Sequence, residues 1–159
     1  MKILMATEDY DDRIVALLEF KKLNAAHAVD FVTSGDELME YLTSRADRQG
    51  ELPNLLLLNS NIHRKIGKDP LWMIKANARF RQIDIVVFST YSSLKEEVSN
   101  WKDGVMPLSK TSDPDELIWI FQEICDGLIN KAGWQYQIRP PTRNNEIIID
   151  FNKPVNSLN

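Results

Sequence analysis

Five side chains of types that suit metal or phosphoryl chemistry follow short apolar runs of the chain. Glu8 and Asp9 come after KILMA, and Asn59 comes after four leucines. Ser89 and Lys110 follow two further apolar runs. Carboxylate oxygens bind hard cations such as Mg²⁺, and a lysine neutralises phosphoryl charge. Each residue alone is also typical of a helix cap or a solvated loop, but together they predict a site for a divalent cation and a phosphoryl group.

The apolar runs are predicted to be strands of a parallel sheet. The run from Leu55 to Leu58 is short and bounded by polar residues, which is typical of a strand buried on both faces. Strands are predicted at 2–6, 28–32, 54–58, 83–88 and 105–108. Helices are predicted at about 11–24, 69–78, 92–101 and 113–128, and a further helix is predicted to begin at its cap Ser34 and to end within 46–51. This alternation implies an α/β protein with helices on both faces of the sheet. Ligands of such sheets bind at the carboxyl ends of the strands, where the five side chains are predicted to meet.

Local signals predict where several helices begin and which side they bury. Asp11 is the predicted cap of the first helix, whose inward side is predicted to carry Ile14, Leu17, Leu18 and Leu23. Ser34 and Glu37 have the spacing of a capping box. Pro70 suits the first turn of a helix, and residues 63–68 are predicted to form a loop before it.

Composition limits the class of protein. The 159 residues suit one domain with a small appendage, and 43% hydrophobic with 26% charged residues is ordinary for a soluble globular protein. A net charge of −4 disfavours nucleic acid as a partner. The sequence has no membrane-length apolar run and no signal-peptide pattern, and its single Cys125 excludes an intramolecular disulfide. We therefore expect a cytoplasmic protein with no membrane partner.

Other conspicuous residues favour structural or contact roles. His27 and His63 are far apart and have no cysteine partners, so a zinc site is not expected. Trp119 falls off the inward stripe of the last predicted helix, which indicates a contact surface or a place covered by the end of the chain. Residues 131–159 lie outside the alternation of strands and helices, and their two β-prone pieces predict a hairpin or extended arm.

Four segments of the chain resemble one known family. The chain has TEDYDDR where the family has VEDNPDDR, and LLLNSNIHRKIG where it has ILLDLNLPRKDG. It has IKANARFRQIDIVVFST for IKADPRLRRIPVVVLTT, and LSKT for LTKP. On these segments, residues 1–130 resemble the receiver domain of two-component response regulators, of the stand-alone type known from phytochrome-associated regulators. The resemblance implies a CheY-like, flavodoxin-like fold with a five-stranded, doubly wound parallel sheet of order 2-1-3-4-5, followed by a C-terminal extension at 131–159.

The resemblance also implies a role for each residue of the site. Glu8 and Asp9 match the acidic pair, and Asn59 stands at the position of the phosphorylated aspartate. Ser89 matches the switch hydroxyl and Lys110 the lysine of the pocket. Glu8, Asp9 and Asn59 would then form at most a weak Mg²⁺ site, because Asn59 lacks the charge of a carboxylate.

Several departures from the family pattern surround the same pocket. The amide of Asn59 is neutral and a poor nucleophile, so it cannot form an acyl phosphate. The segment from Gly104 to Lys110 is one residue shorter than usual. Family-typical residues are also replaced at His63, Ile66, Pro107 and Thr111. These departures predict a non-phosphorylatable pseudo-receiver.

The expected function is therefore a non-enzymatic signalling module that acts through protein contacts. Its expected partner is a histidine kinase or another signalling protein, and a homodimer through the last helix or the C-terminal extension is a further expectation. One alternative is an orthodox, phospho-accepting regulator in which Asn59 is an engineered substitution. Another is a small Mg²⁺-dependent phosphotransfer or hydrolase domain that uses Glu8 and Asp9, which the lack of an evident nucleophile disfavours.

Overall fold

The computed structural model describes residues 1–23, 28–65, 69–89, 105–109, 137–138 and 149–150. Seven strands lie in these ranges: β1 Lys2–Ala6, β2 Ala28–Val32, β3 Leu55–Asn59, β4 Asp84–Ser89, β5 Val105–Ser109, β6 Gln137–Ile138 and β7 Ile149–Asp150. The helices are α1 Tyr10–Leu23, α2 Gly35–Asp47, α3 Ser60–Lys65 and α4 Pro70–Ala76, with a 3₁₀ turn at Ala78–Phe80. The helices predicted at 92–101 and 113–128 lie outside the described residues.

The strands β1 to β5 form one parallel sheet in the order β2-β1-β3-β4-β5. The strands β1 and β2 have the predicted bounds, whereas β3 and β4 each begin and end one residue later than predicted. The shift has a simple cause at the carboxyl end of β3, where Asn59 pairs with Phe88 of β4 and so continues the strand. A separate antiparallel pair joins β6 to β7, with Gln137 opposite Asp150.

Both faces of the sheet are buried at β3. All four leucines of this strand have no exposed surface. Leu56 and Leu58 belong to a core that α2, α3 and α4 complete with Leu38, Leu42, Ile62, Leu71 and Ile74. On the other face, where the right-handed β1–α1–β2 connection places α1, Ala16 and Phe20 are also fully buried. A strand covered on both sides must be apolar at every position, which explains the leucine run.

The rotational orientation of α1 differs from the prediction. Its buried stripe is Asp12, Ala16 and Phe20, which recur at every fourth position. Ile14 and Leu18 were predicted to face the core, and this was wrong: they are 38% and 53% exposed. Each lies two residues beyond a buried position, and two helical residues turn the side chain to about the opposite side of the helix. Leu17 is only half-buried.

The start of α1 also differs by two residues. The carboxylate of Asp9 accepts hydrogen bonds from the backbone N–H of Asp11 at 3.0 Å and of Asp12 at 3.4 Å. The backbone carbonyl of Asp9 accepts from Arg13 at 3.3 Å. Asp9 is therefore the N-cap, and the prediction that Asp11 caps the helix was wrong.

The predicted cap of α2 is confirmed at Ser34, and Glu37 reaches back to the residue before the cap. The hydroxyl of Ser34 accepts from the backbone N–H of Glu37 at 3.1 Å, and the carboxylate of Glu37 accepts from the backbone N–H of Thr33 at 2.7 Å. Farther along α2, the hydroxyl of Tyr41 donates to the carboxylate of Asp30 on β2. Partial burial and this contact raise the pKa of Tyr41 well above its usual value. These bonds fix the first turn of α2 and tie the helix to the edge strand.

Residues 63–65 are helical, whereas the sequence predicted a loop over 63–68, and residues 66–68 lie outside the described part. The helix α3 spans Ser60–Lys65, and its Ile62 is 1% exposed, so an apolar contact with the core stabilises the helical turn. The start of α4 matches the prediction, because Asp69 caps it and Pro70 occupies its first turn. The helix ends at Ala76, before the predicted position 78. No helix within the described residues is long and apolar enough to cross a membrane.

Candidate functional site

Three strand ends meet at one edge of the sheet. In the parallel register, Ala6 at the end of β1 pairs with Leu58 of β3, which places Thr7 level with Asn59. Asn59 in turn pairs with Phe88, so Ser89 at the end of β4 lies one position beyond it. The predicted convergence of polar residues at the carboxyl edge is therefore a direct result of the parallel pairing.

Asn59 is buried, with 7% of its surface exposed, and both ends of its amide have partners. Its Oδ1 accepts from the backbone N–H of Asn61 at 2.9 Å. Its Nδ2 donates to Oγ1 of Thr7 at 3.3 Å. Because an N–H must face an acceptor, the bond from Asn61 fixes which end of the amide points to Thr7. Asn59 thus joins the first turn of α3 to the loop after β1.

The hydroxyl of Thr7 connects this amide to the start of α1. Thr7 has no exposed surface, and its Oγ1 also accepts from the backbone N–H of Asp9 at 3.2 Å. Its own proton goes to Oδ2 of Asp12 at 3.5 Å. A threonine hydroxyl offers one proton and two lone pairs, so these three contacts complete its hydrogen bonding.

Asp12 is the residue of this site that sequence reasoning missed. It is only 4% exposed, although it lies in a helix whose first turn is acidic. One signal existed in the sequence: Asp12 shares the four-residue spacing of Ala16 and Phe20, the two buried residues of α1. A carboxylate in a buried stripe needs a polar partner, and the hydroxyl of Thr7 provides one.

The predicted metal ligands lie on the loop that surrounds Thr7. Glu8 is exposed, and Asp9 is half-buried with its Oδ1 accepting from two backbone N–H groups of α1. The structure links Asp9 to Asn59 through the hydroxyl of Thr7. The assignment of Glu8, Asp9 and Asn59 as metal ligands stays a prediction.

The side chains of Glu8, Asp9 and Asn59 offer the type of atom that binds divalent cations, but less negative charge than three carboxylates would. Two carboxylates and an amide supply the oxygen atoms that Mg²⁺ prefers, but with one formal charge fewer than three carboxylates. Asp9 Oδ1 and Asn59 Oδ1 already accept hydrogen bonds from the backbone. Across the part of the chain that the structure describes, no three His, Cys, Asp or Glu residues form a group that could hold a metal ion. The oxygen donors present therefore suit Mg²⁺ in type only, and the weak Mg²⁺ site expected from the sequence stays a prediction.

Other predicted features lie partly or wholly beyond the described residues. The backbone of Ser89 ends β4 and pairs with Ser109 at the end of β5, so Lys110 follows directly in the chain. The side chain of Ser89, and Lys110 itself, lie outside the described part, as do Trp119, Cys125 and His27.

Comparison with solved structures identifies the fold. No family model matches the sequence, and a search of curated proteins finds no match. The phosphorylated cyanobacterial phytochrome response regulator RcpA is 24% identical, with a TM-score of 0.68 over 82% of this chain and 95% of that one. The Mn²⁺-bound form of response regulator Rcp1 is 21% identical, with a TM-score of 0.66 over 82% and 95%. A response regulator in red light signaling of R. palustris is 19% identical, with a TM-score of 0.66 over 84% and 97%.

This chain has the fold of response-regulator receiver domains. The predicted fold class, an α/β protein with a parallel CheY-like sheet, is thereby confirmed. Asn59 stands at the end of the central strand of that receiver fold, beside the loop that carries Glu8 and Asp9.

Proposed function

We propose that this protein is a receiver-like signalling module of a two-component system that is not phosphorylated at residue 59. One observation carries the proposal: the side chain at the end of β3 is an amide with a hydrogen-bond partner at each end. The proposed partners are a histidine kinase or another signalling protein. The proposal includes no catalytic activity.

The chemistry of Asn59 supports this reading. Formation of an acyl phosphate requires a carboxylate oxygen to attack phosphorus, and the carbonyl oxygen of an amide is a far weaker nucleophile. That oxygen also accepts a hydrogen bond from Asn61 at 2.9 Å. Attack would have to break this bond within a site that is 7% exposed.

The same contacts suggest how the module behaves without phosphate. The amide of Asn59 holds Thr7, and Thr7 holds the N–H of Asp9 and the carboxylate of Asp12. The loop after β1 and the start of α3 are thereby joined by neutral and charge-assisted hydrogen bonds. We propose that the pocket stays in this one arrangement, and that a protein partner rather than a phosphoryl group changes its state.

Phosphorylation by acetyl phosphate in the presence of Mg²⁺ tests the proposal. We expect the intact mass of the chain to be unchanged, and Asn59→Asp is the matched control because it restores only the missing nucleophile. An alkali-labile adduct on the unsubstituted chain that maps to Asn59 or its neighbours would refute the proposal.

The control also separates the proposal from its main alternative. Weak or absent labelling of Asn59→Asp supports a pocket that has lost more than its nucleophile. Rapid labelling, close to that of an ordinary receiver, would favour an orthodox regulator in which Asn59 is a single substitution.

A further inference from the structure

The helix α1 is apolar on two opposite sides. Ala16 and Phe20 are fully buried on the side that faces the sheet. Tyr10, Ile14 and Leu18 are 65%, 38% and 53% exposed, and they recur at every fourth position. Residues four apart lie on one face of a helix, so these three side chains form a continuous row, here called the α1 ridge. Rows of large exposed apolar side chains mark contact surfaces.

Opposite charges lie at the two ends of the α1 ridge. Asp11 is exposed in the first turn of α1, three residues before Ile14. Lys21 is exposed in the last turn, three residues after Leu18. The face therefore has an acid, two aliphatic side chains and a base, with spacings of three, four and three residues. From either end of the helix, the order is a charged, an aliphatic, an aliphatic and a charged side chain, and only the sign of the charge differs.

We propose that the α1 ridge binds the same ridge of a second copy of this chain. The helices would run antiparallel about a two-fold axis at the level of Ala16. Positions 14 and 18 are equally far from residue 16, so Ile14 would lie against Leu18 of the partner subunit. Positions 11 and 21 are also equally far from it, so Asp11 would face Lys21 of the partner subunit. A two-fold interface repeats each contact, so both apolar pairs and both ion pairs form.

The orientation follows from the charges. In a parallel pair, Asp11 would lie beside its own counterpart and Lys21 beside its own, and like charges that face each other are unfavourable. The antiparallel pair replaces both repulsions by attractions. Charge complementarity therefore selects a second copy in one orientation, which the apolar row alone would not do.

The size of the surface sets the strength of the contact. The helix has 14 residues, so it is about 21 Å long. Two aliphatic and two charged side chains per copy make an interface at the small end of specific protein contacts, which corresponds to a weak, reversible dimer. This surface differs from the dimer surfaces expected from the sequence, which are the last helix and residues 131–159. The inference is also independent of whether Asn59 accepts phosphate.

Sedimentation velocity of the full chain over a concentration series tests the inference. We expect the sedimentation coefficient to rise with concentration. Asp11→Lys places two lysines at the ends of the ridge, and Lys21→Asp places two aspartates there. Each variant alone should associate more weakly, by on the order of tenfold, because both ion pairs become repulsive. An equimolar mixture of the two variants should recover the association of the original chain, because each acid again faces a base.

Two further variants separate this contact from unrelated effects. Asp36→Lys reverses an exposed acid in the first turn of α2, and it should associate like the original chain. Leu18→Gln keeps the charges but removes apolar contact, and it should associate more weakly. A sedimentation coefficient that does not change with protein concentration would overturn the inference. Association that is unchanged in Leu18→Gln and in both charge reversals would also overturn it, because another surface would then join the copies. A mixture of the two charge variants that does not associate like the original chain would overturn it as well.

Discussion

At the scale of the residue, the hydrogen bonds of the Thr7 hydroxyl indicate how an acid at position 59 would change the stability of the fold. Its proton goes to Asp12, which is 4% exposed, and it accepts from the amide of Asn59. Asn59→Asp removes that donor and places a second buried carboxylate beside the same hydroxyl. We expect the free energy of unfolding to fall by about 1–3 kcal/mol in the absence of divalent cations. Mg²⁺ should restore part of the loss, because it binds the variant more tightly than the original chain.

Urea unfolding with and without Mg²⁺ measures both effects, and titration calorimetry compares the affinities. Asn59→Ala is the control: it loses the bond to Thr7, and also the bond from Asn61, without adding charge, so Mg²⁺ should not stabilise it more than the original chain. Equal Mg²⁺ affinities for the original chain and Asn59→Asp would show that residue 59 does not contact the metal.

At the scale of the element, the first turn of α2 predicts a dependence of stability on pH. The backbone N–H and hydroxyl of Thr33 donate to Glu37 and hold its pKa below the ordinary value of 4.5. A carboxyl group whose pKa is lower in the folded state stabilises it above the unfolded pKa, and this contribution is lost as the pH falls through the folded pKa. Glu37→Gln should therefore be less stable than the original chain at neutral pH, and the difference should disappear in acid.

Urea midpoints between neutral pH and the acid side of 4.5 measure this difference. Asp36→Asn changes a neighbouring exposed acid of the same turn and is the matched control, since the hydrogen bonds from Thr33 go to Glu37. A gap between Glu37→Gln and the original chain that stays constant across the pH range would contradict the assignment.

At the scale of the whole molecule, the question is whether ligand binding at the pocket can change the conformation at β5, the edge strand of the sheet. The resemblance implies that activation moves the hydroxyl at position 89 and an aromatic side chain at position 107. This chain has Pro107 there, opposite Val87 in the pairing of β4 with β5. Proline has no aromatic side chain to turn inward, and its φ is fixed, so a ligand in the pocket gains little differential affinity for two states.

Amide spectra of Asn59→Asp with and without beryllofluoride test this expectation. Shifts should be confined to Glu8, Asp9, Ser89 and residue 59 itself. Shifts that extend to Trp101 and Trp119 would show that the pathway through β5 still works. The original chain, which lacks the carboxylate, is the control and should not respond.

The sequence by itself determined the features that depend on near neighbours. The apolar runs predicted β1 and β2 with their bounds. The inner strand β1 is apolar and buried from Ile3 to Ala6, whereas the edge strand β2 includes Asp30 and is only partly buried. Ser34 with Glu37 predicted the start of α2, because a cap bonds to N–H groups two or three residues away. Pro70 predicted the start of α4, because a proline in the first turn loses no helix bond. The central leucine run predicted the edge at which the site lies.

The tertiary structure decided the features that join distant parts of the chain. The helix α1 is apolar on two sides, so its sequence did not show that Ala16 and Phe20 rather than Ile14 and Leu18 face the sheet. The bond from Asn59 to Thr7 spans 52 residues and exists only because β1 and β3 pair in one register. The packing of α1 on the sheet also buries Asp12 beside the same hydroxyl. Contacts of this kind arise from packing between elements, which no local pattern encodes.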